Sequence, residues 1–381
     1  MRIWPCWVVV ALFWLVDSQI AAGREQWSVK QAEQWGDATP WLVGANYIPA
    51  TAINQLEMWQ ADTFDPKQID QEMGWAASLG FNSLRVFLHH LLWEQDSTGL
   101  LDRMDQFLKI AAKHKIGVMF VLFDSCWDPN PKVGKQREPR QGVHNSGWVQ
   151  SPGTADLKDE KRRQLLQEYV EGVVGRFKDD QRVQVWDVWN EPDNANDKSY
   201  GKDHLKLEPA DKRELTVSLL AKAFRWARAA KPTQPLTSAV WQSGHKIDPQ
   251  RLNAIERLQL AESDVVSFHA YDPLPGVKDW LVQLKKFGRP VLCTEYLARP
   301  HGSTFDPILG HFKAEKVAAY CWGFTAGKTN TMFAWDTWQK PETMMEPKVW
   351  FHDIFRKNGT PYSEVETAYI RRVTGVSTGA K

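Results

Sequence analysis

Val183-Gln184-Val185-Trp186-Asp187-Val188-Trp189-Asn190-Glu191-Pro192 reads as a short strand whose tip carries a carboxylate. Its β-branched and aromatic residues suit an extended backbone, and Pro192 ends the pattern. Pro290-Val291-Leu292-Cys293-Thr294-Glu295-Tyr296 follows the same plan, with Glu295 near its end. Six further runs resemble these two: Trp41–Tyr47, Ser83–His89, Gly117–Asp124, Leu236–Trp241, Val265–Tyr271 and Asn330–Asp336. Each is short, apolar and bounded by turn-forming residues. Such strands suit a parallel sheet covered on its outer face.

Amphipathic stretches separate the runs. Pro66–Leu79 places Ile69, Met73 and Ala76 at helical spacing before Gly80. Leu101–His114, Lys161–Phe177 and Leu215–Ala230 repeat the pattern, and Pro232 stands where the last of these must stop. Phe312–Gly323 is expected to be the helix before the eighth strand, and Ser363–Arg372 the closing helix. Strand and helix alternating eight times predict an α/β fold, a single (β/α)₈ TIM barrel, and 381 residues are enough for one. No GxGxxG follows the first run, so the usual dinucleotide site is not expected.

Residues 1–23 read as a signal peptide: Arg2, the apolar run Ile3–Val16, then Ala21, Ala22 and Gly23. The expected catalytic domain is 24–381. The expected location is secreted or periplasmic, with no stable membrane insertion after cleavage; an uncleaved N-terminal anchor is the alternative. A net charge of +1 gives no field to recruit nucleic acid. A monomer is expected. Once Cys6 leaves with the leader, Cys126, Cys293 and Cys321 cannot all pair. No HExxH or CxxC suggests a metal, and His89-His90 is only a weak hint, so no metal or cofactor is expected. The 20 tryptophans fill a large core or form flat platforms on which the C–H faces of sugars stack.

The chemistry rests on the two glutamates. Cutting a glycosidic bond takes one protonated carboxyl to assist the leaving oxygen and one ionised carboxylate to attack or to activate water. Glu191 and Glu295 end the fourth and seventh runs, and a closed barrel brings those tips face to face.

The chain resembles glycoside hydrolase family 5, the cellulase-type family within the clan of retaining (β/α)₈ glycosidases. The markers are Asn190-Glu191-Pro192, Glu295, Arg85, His269-Ala270-Tyr271 and Trp335. The resemblance implies Glu191 as acid/base and Glu295 as nucleophile. It implies that Arg85 orients Glu295 and keeps its pKa low, while apolar neighbours such as Trp189 keep that of Glu191 high. Asn190 would meet the sugar 2-hydroxyl, Tyr271 would bond the nucleophile, His269 would touch the catalytic groups or the sugar, and Trp335 would form the sugar floor. The family commonly has a histidine near the end of strand three. Here Phe123-Asp124-Ser125-Cys126-Trp127 stands instead, and Asp124 is expected to take over hydroxyl binding. Carbohydrate is the expected partner, with cellulose, mannan or xylan as the substrate type. Transglycosylation on the same residues, a non-catalytic carbohydrate-binding barrel and a metal-dependent hydrolase are the competing readings. Two long connections, Ser125–Lys158 and Thr337–Pro347, are expected to decide whether cleavage is internal or terminal.

Overall fold

The protein is described by a computed structural model covering residues 23–196, 208–242 and 251–376. The leader expected at 1–23 lies outside these residues except for Gly23. Eight strands form one sheet: β1 (Val43–Tyr47), β2 (Ser83–Phe87), β3 (Gly117–Asp124), β4 (Val183–Asn190), β5 (Leu236–Thr237), β6 (Val266–His269), β7 (Val291–Tyr296) and β8 (Ala318–Cys321). The order is β5-β4-β3-β2-β1-β8-β7-β6, and the paired strands are parallel. A parallel bridge from Val240 to Phe268 joins the two ends of that order and closes the barrel.

A helix follows each strand: α1 (Pro66–Ser78), α2 (His90–Lys113), α3 (Arg163–Phe177), α4 (Lys212–Ala229), α5 (Ala254–Glu262), α6 (Leu274–Leu284), α7 (Phe305–Ala314) and α8 (Glu364–Thr374). The expected (β/α)₈ barrel is therefore the observed fold. No helix among the described residues is long and apolar enough to cross a membrane.

The period of two along each strand sorts the side chains. Leu84, Val86, Phe120, Leu122, Trp186 and Val188 belong to the core shared with the helices. Met119, Val185, Leu292 and Tyr320 form a separate cluster inside the barrel. The barrel is thus plugged below by apolar packing. Arg85, Asp187, Asn190 and Glu295 gather above that cluster, toward the C-terminal ends of the strands, where barrel enzymes place their chemistry.

The eighth strand departs from expectation. Asn330–Asp336 is not a strand but turn followed by the start of a 3₁₀ helix, Trp335–Trp338. The strand is Ala318–Cys321, inside the stretch expected to be helical. Its alanines favour helix locally, but Ala319 and Tyr320 pair with Val43 and Gly44 of β1, and Gly44 in turn lies close against β2. A Cβ on Gly44 would meet the Ser83 carbonyl oxygen at 1.6 Å. Tertiary closure overrides local propensity here. The connection after β8 therefore begins well before Thr337.

Candidate active site

Glu191 is the first residue after β4, with φ of +46°, a left-handed conformation that side chains other than glycine rarely adopt. Strain of this kind persists where the surroundings over-determine it, and it aims the side chain across the barrel mouth. Glu295 lies on β7, where the β6–β7 register shifts between Phe268 and His269. Irregularities of this sort re-aim side chains beside functional sites. Both glutamates are buried, at 7% and 4% exposure, yet both line one cavity of about 300 Å³. Ligand atoms of Glu191, Glu295 and His269 all lie within 4.8 Å of one another.

Arg85 lies beneath Glu295, fully buried on β2. Its Nη1 donates to Glu295 Oε1 at 2.9 Å and to Asn46 Oδ1 at 2.7 Å. Its Nε and Nη2 donate to Asp187 Oδ2 at 3.0 and 2.8 Å, and Nη2 also donates to Asn190 Oδ1 at 2.8 Å. All five N–H donors of the guanidinium are thereby used. Burial opposes its charge, but Asp187 and Glu295 together hold its pKa above the ordinary value. Tyr271 donates to the other oxygen of Glu295 at 2.7 Å.

Glu191 has a different set of partners. His269 Nδ1 stands 2.8 Å from its Oε1. Asn194 Nδ2 donates to Oε2 at 2.6 Å, and the Cys126 thiol lies 3.3 Å from the same oxygen. Burial pushes His269 down to about 4, so the imidazole is neutral at neutral pH. A neutral ring serves either state of Glu191, donating from Nδ1 to a carboxylate or accepting there from a carboxyl.

The expectation of a depressed pKa for Glu295 is not met. Burial pushes its carboxyl above the ordinary value, and the charge of Glu191 adds to the rise. His269, Arg85 and the Tyr271 hydrogen bond pull the other way without cancelling it. Desolvation wins because water is excluded around the whole carboxylate.

The structure brings most of the expected residues together. Asn190, His269, Tyr271 and Trp335 line the cavity with the two glutamates, while Arg85 supports them from below. Trp335 does so from the loop after β8 rather than from a strand, its ring edge-on to Tyr271 at 4.9 Å. Asp124 does not line the cavity. Its oxygens accept from Trp148, Asn190, Gln55 and the Cys126 amide, and burial pushes its pKa to about 6. It holds Asn190 in place, so the hydroxyl-binding role expected for it is withdrawn.

Asp187, Asn46, Asn194 and Cys126 escaped sequence reading. The signal for Asp187 was present, as a carboxylate on the inward face of an otherwise apolar strand. His89 and His90 stack at 4.9 Å and bond to Gln150, Ser151 and Asp156, away from the cavity. Cys126, Cys293 and Cys321 are free and buried. Glu191, His269 and Glu295 are close enough to share a cation, but Arg85 and Tyr271 already occupy both oxygens of Glu295.

Removing Arg85 would strand Asp187 as an unpaired buried charge. Arg85→Met is expected to lower stability by about 3–5 kcal/mol, measured by urea denaturation. An unchanged midpoint would show that the pair does not hold the barrel mouth.

A family model described as Glycosyl hydrolase family 10 matches residues 142–253, which include Glu191 and stop short of Glu295. No curated protein matches the chain. A GH5_18 protein from Bifidobacterium longum subsp. longum, crystallised with Manβ1-4GlcNAc, is similar in structure at 13% identity and TM-score 0.53, over 89% of this chain and 79% of that one. The endo-1,4-β-mannanase from Rhizomucor miehei is similar at 16% identity and TM-score 0.53, over 87% and 94%. The exo-β-1,4-mannosidase from Opitutaceae bacterium strain TAV5 is similar at 20% identity and TM-score 0.55, over 88% of this chain and 60% of that one. In fold, then, the chain is similar to these (β/α)₈ glycosidases, and over its fourth and fifth strands it is similar to a glycosyl hydrolase family model.

Proposed function

We propose that this protein is a retaining glycoside hydrolase that cleaves β-glycosidic bonds of poly- or oligosaccharides by double displacement. The observation that carries the reading is spacing. Ligand atoms of the two glutamates lie within 4.8 Å of one another. Retaining enzymes hold their carboxyls about 5 Å apart, and inverting ones leave about 6.5–9.5 Å for a water. Glu295 attacks the anomeric carbon while Glu191 gives its proton to the departing oxygen. Glu191 then takes a proton from water, and that water displaces Glu295 from the sugar. Asn190, whose amide also bonds Asp124 at 2.9 Å, faces the sugar 2-hydroxyl. Trp335 offers the sugar an indole face.

The structures named above supply the first substrates to try, since each name or bound ligand includes β-linked mannose. β-Mannans and aryl β-mannosides therefore lead the screen, followed by cellulose and xylan. Glu191→Gln is expected to lower kcat by about 10²–10⁴-fold on natural linkages. The loss should be much smaller on dinitrophenyl glycosides, whose leaving group needs no proton. Glu295→Gln is expected to be inactive on both. Proton NMR of the first product should show the β anomer; an α product would rule out retention.

The raised carboxyl of Glu295 sets the acid side of the pH profile. Its ionised form attacks, so activity falls as pH drops through its pKa. The acid limb of kcat/KM is expected above the ordinary glutamate value of about 4.3. Tyr271 lowers the Glu295 pKa, so Tyr271→Phe should move that limb to still higher pH. A limb that stays in place would deny Tyr271 this role.

Residues 1–23 are proposed to direct the protein out of the cytoplasm, where a mature monomer would meet polysaccharide. N-terminal sequencing of the exported protein is expected to begin just after Gly23; an intact Met1 would favour an anchor.

A further inference from the structure

The connection after β3 is mostly exposed over residues 130–141 and then turns inward. It folds back over the barrel mouth. Val143 to Gly153 is buried throughout, and His144, Asn145 and Trp148 are each at most 2% exposed. The strands beneath tie it down. Asn54 donates to the Gly147 carbonyl at 2.8 Å and Gln55 to that of Val149 at 3.0 Å, both from the segment after β1. His89, just after β2, lies 3.0 Å from the Gln150 carbonyl. This segment thus roofs the mouth above β1 to β3.

The connection after β8 is joined to that roof. The Asn145 amide donates to the Thr329 carbonyl at 2.7 Å, and the Glu342 amide to the Gly142 carbonyl at 2.9 Å. The His144 amide donates to Thr337 Oγ1 at 3.0 Å. Trp127 and Trp338 stack across the seam at 5.4 Å, with the Arg140 guanidinium over Trp338. A Cβ on Gly142 would fall 1.9 Å from the Glu342 carbonyl oxygen, so the two connections touch at backbone distance there. Together they form one continuous wall.

The cavity reflects this wall. Trp127, His144 and Trp322 face it from the wall and are buried. Its half-buried margin among the described residues includes Asn194 after β4, Trp241 after β5 and Asp272 after β6. Glu191, just after β4, stands between Cys126 on the wall side and Asn194 on that margin. A polysaccharide cut internally must enter one side of the mouth and leave by the other, and the wall closes one of these sides. Trp335, the platform proposed for the attacked sugar, lines the cavity from the connection after β8, which is part of the wall, so the leaving group points toward the margin. The attacked sugar then has the wall behind it. A volume of about 300 Å³ is at the small end of ligand pockets.

We propose that the wall built from the connections after β3 and β8 makes this a chain-end enzyme, which removes single sugars from the non-reducing end of β-linked oligosaccharides. The inference rests on the hydrolase reading above and specifies its substrate class as chain ends. The test uses wild-type protein with β-1,4-linked manno-, cello- and xylohexaose, each carrying a fluorophore at its reducing end. The expected first products are the labelled pentaose and one unlabelled monosaccharide, with shorter labelled species following one step at a time. Labelled fragments of several lengths from the outset, or labelled monosaccharide as the first product, would overturn the chain-end assignment while leaving the hydrolase reading intact. Turnover that persists in Glu295→Gln, or no turnover of any hexaose by wild-type protein, would overturn the hydrolase reading and this inference with it.

Discussion

Everything at the barrel mouth depends on the guanidinium of Arg85. It is fully buried, and each of its five N–H groups is committed to an oxygen. Those oxygens belong to Asn46 on β1, Asp187 and Asn190 on β4, and Glu295 on β7. One side chain therefore fixes the relative positions of four strand tips. A lysine could not do this, because an ammonium has three donors and no planar fork. Burying such a charge is costly unless its partners are charged and well placed. Asp187 is a second carboxylate partner, so Glu295 is held by the guanidinium without being its only acidic neighbour.

This arrangement divides the labour between the two glutamates. Glu295 is gripped on both oxygens by fixed donors, Arg85 and Tyr271, and a group whose oxygens both accept is suited to attack rather than to proton donation. Glu191 is held by softer partners: a neutral histidine, an amide and a thiol. None of them imposes a fixed charge. A group that must give up a proton and then regain it benefits from such a shell, since neither state is strongly locked. The burial that raises Glu295 comes from the side chains packed around its carboxyl at the floor of the cavity. Dry surroundings strengthen every directed contact in the site while making the bare carboxylate harder to ionise.

The sequence was most legible where period and composition agree. Seven strands were placed over the observed ones, because β-branched and aromatic runs have few other uses. β8 was missed because Ala318 and Ala319 look helical locally, and what makes them strand is pairing with β1 and β7, which are distant in sequence. The positions of Glu191 and Glu295 were readable because strand tips are readable. Asp187 was not, although its inward phase on β4 marked it, because a carboxylate inside a barrel makes sense only once Arg85 is seen opposite. Asp124 was misjudged for the converse reason. Its place near a strand end suggested a contact with sugar, but four donors from the protein fill its oxygens.

The connections show where legibility ends in principle. Their length and position were visible, and both leave the catalytic face. Whether they stand apart as the two banks of a cleft or join as a wall depends on a few pairings between distant backbones. Gly142 against Glu342 and Asn145 against Thr329 are such pairings. Hydrogen bonds of this kind use no particular side chain, so no residue pattern announces them. The strands and their carboxylates specify which bond chemistry the barrel performs. The backbone seam, which sequence leaves unmarked, specifies how much of a sugar chain reaches that chemistry.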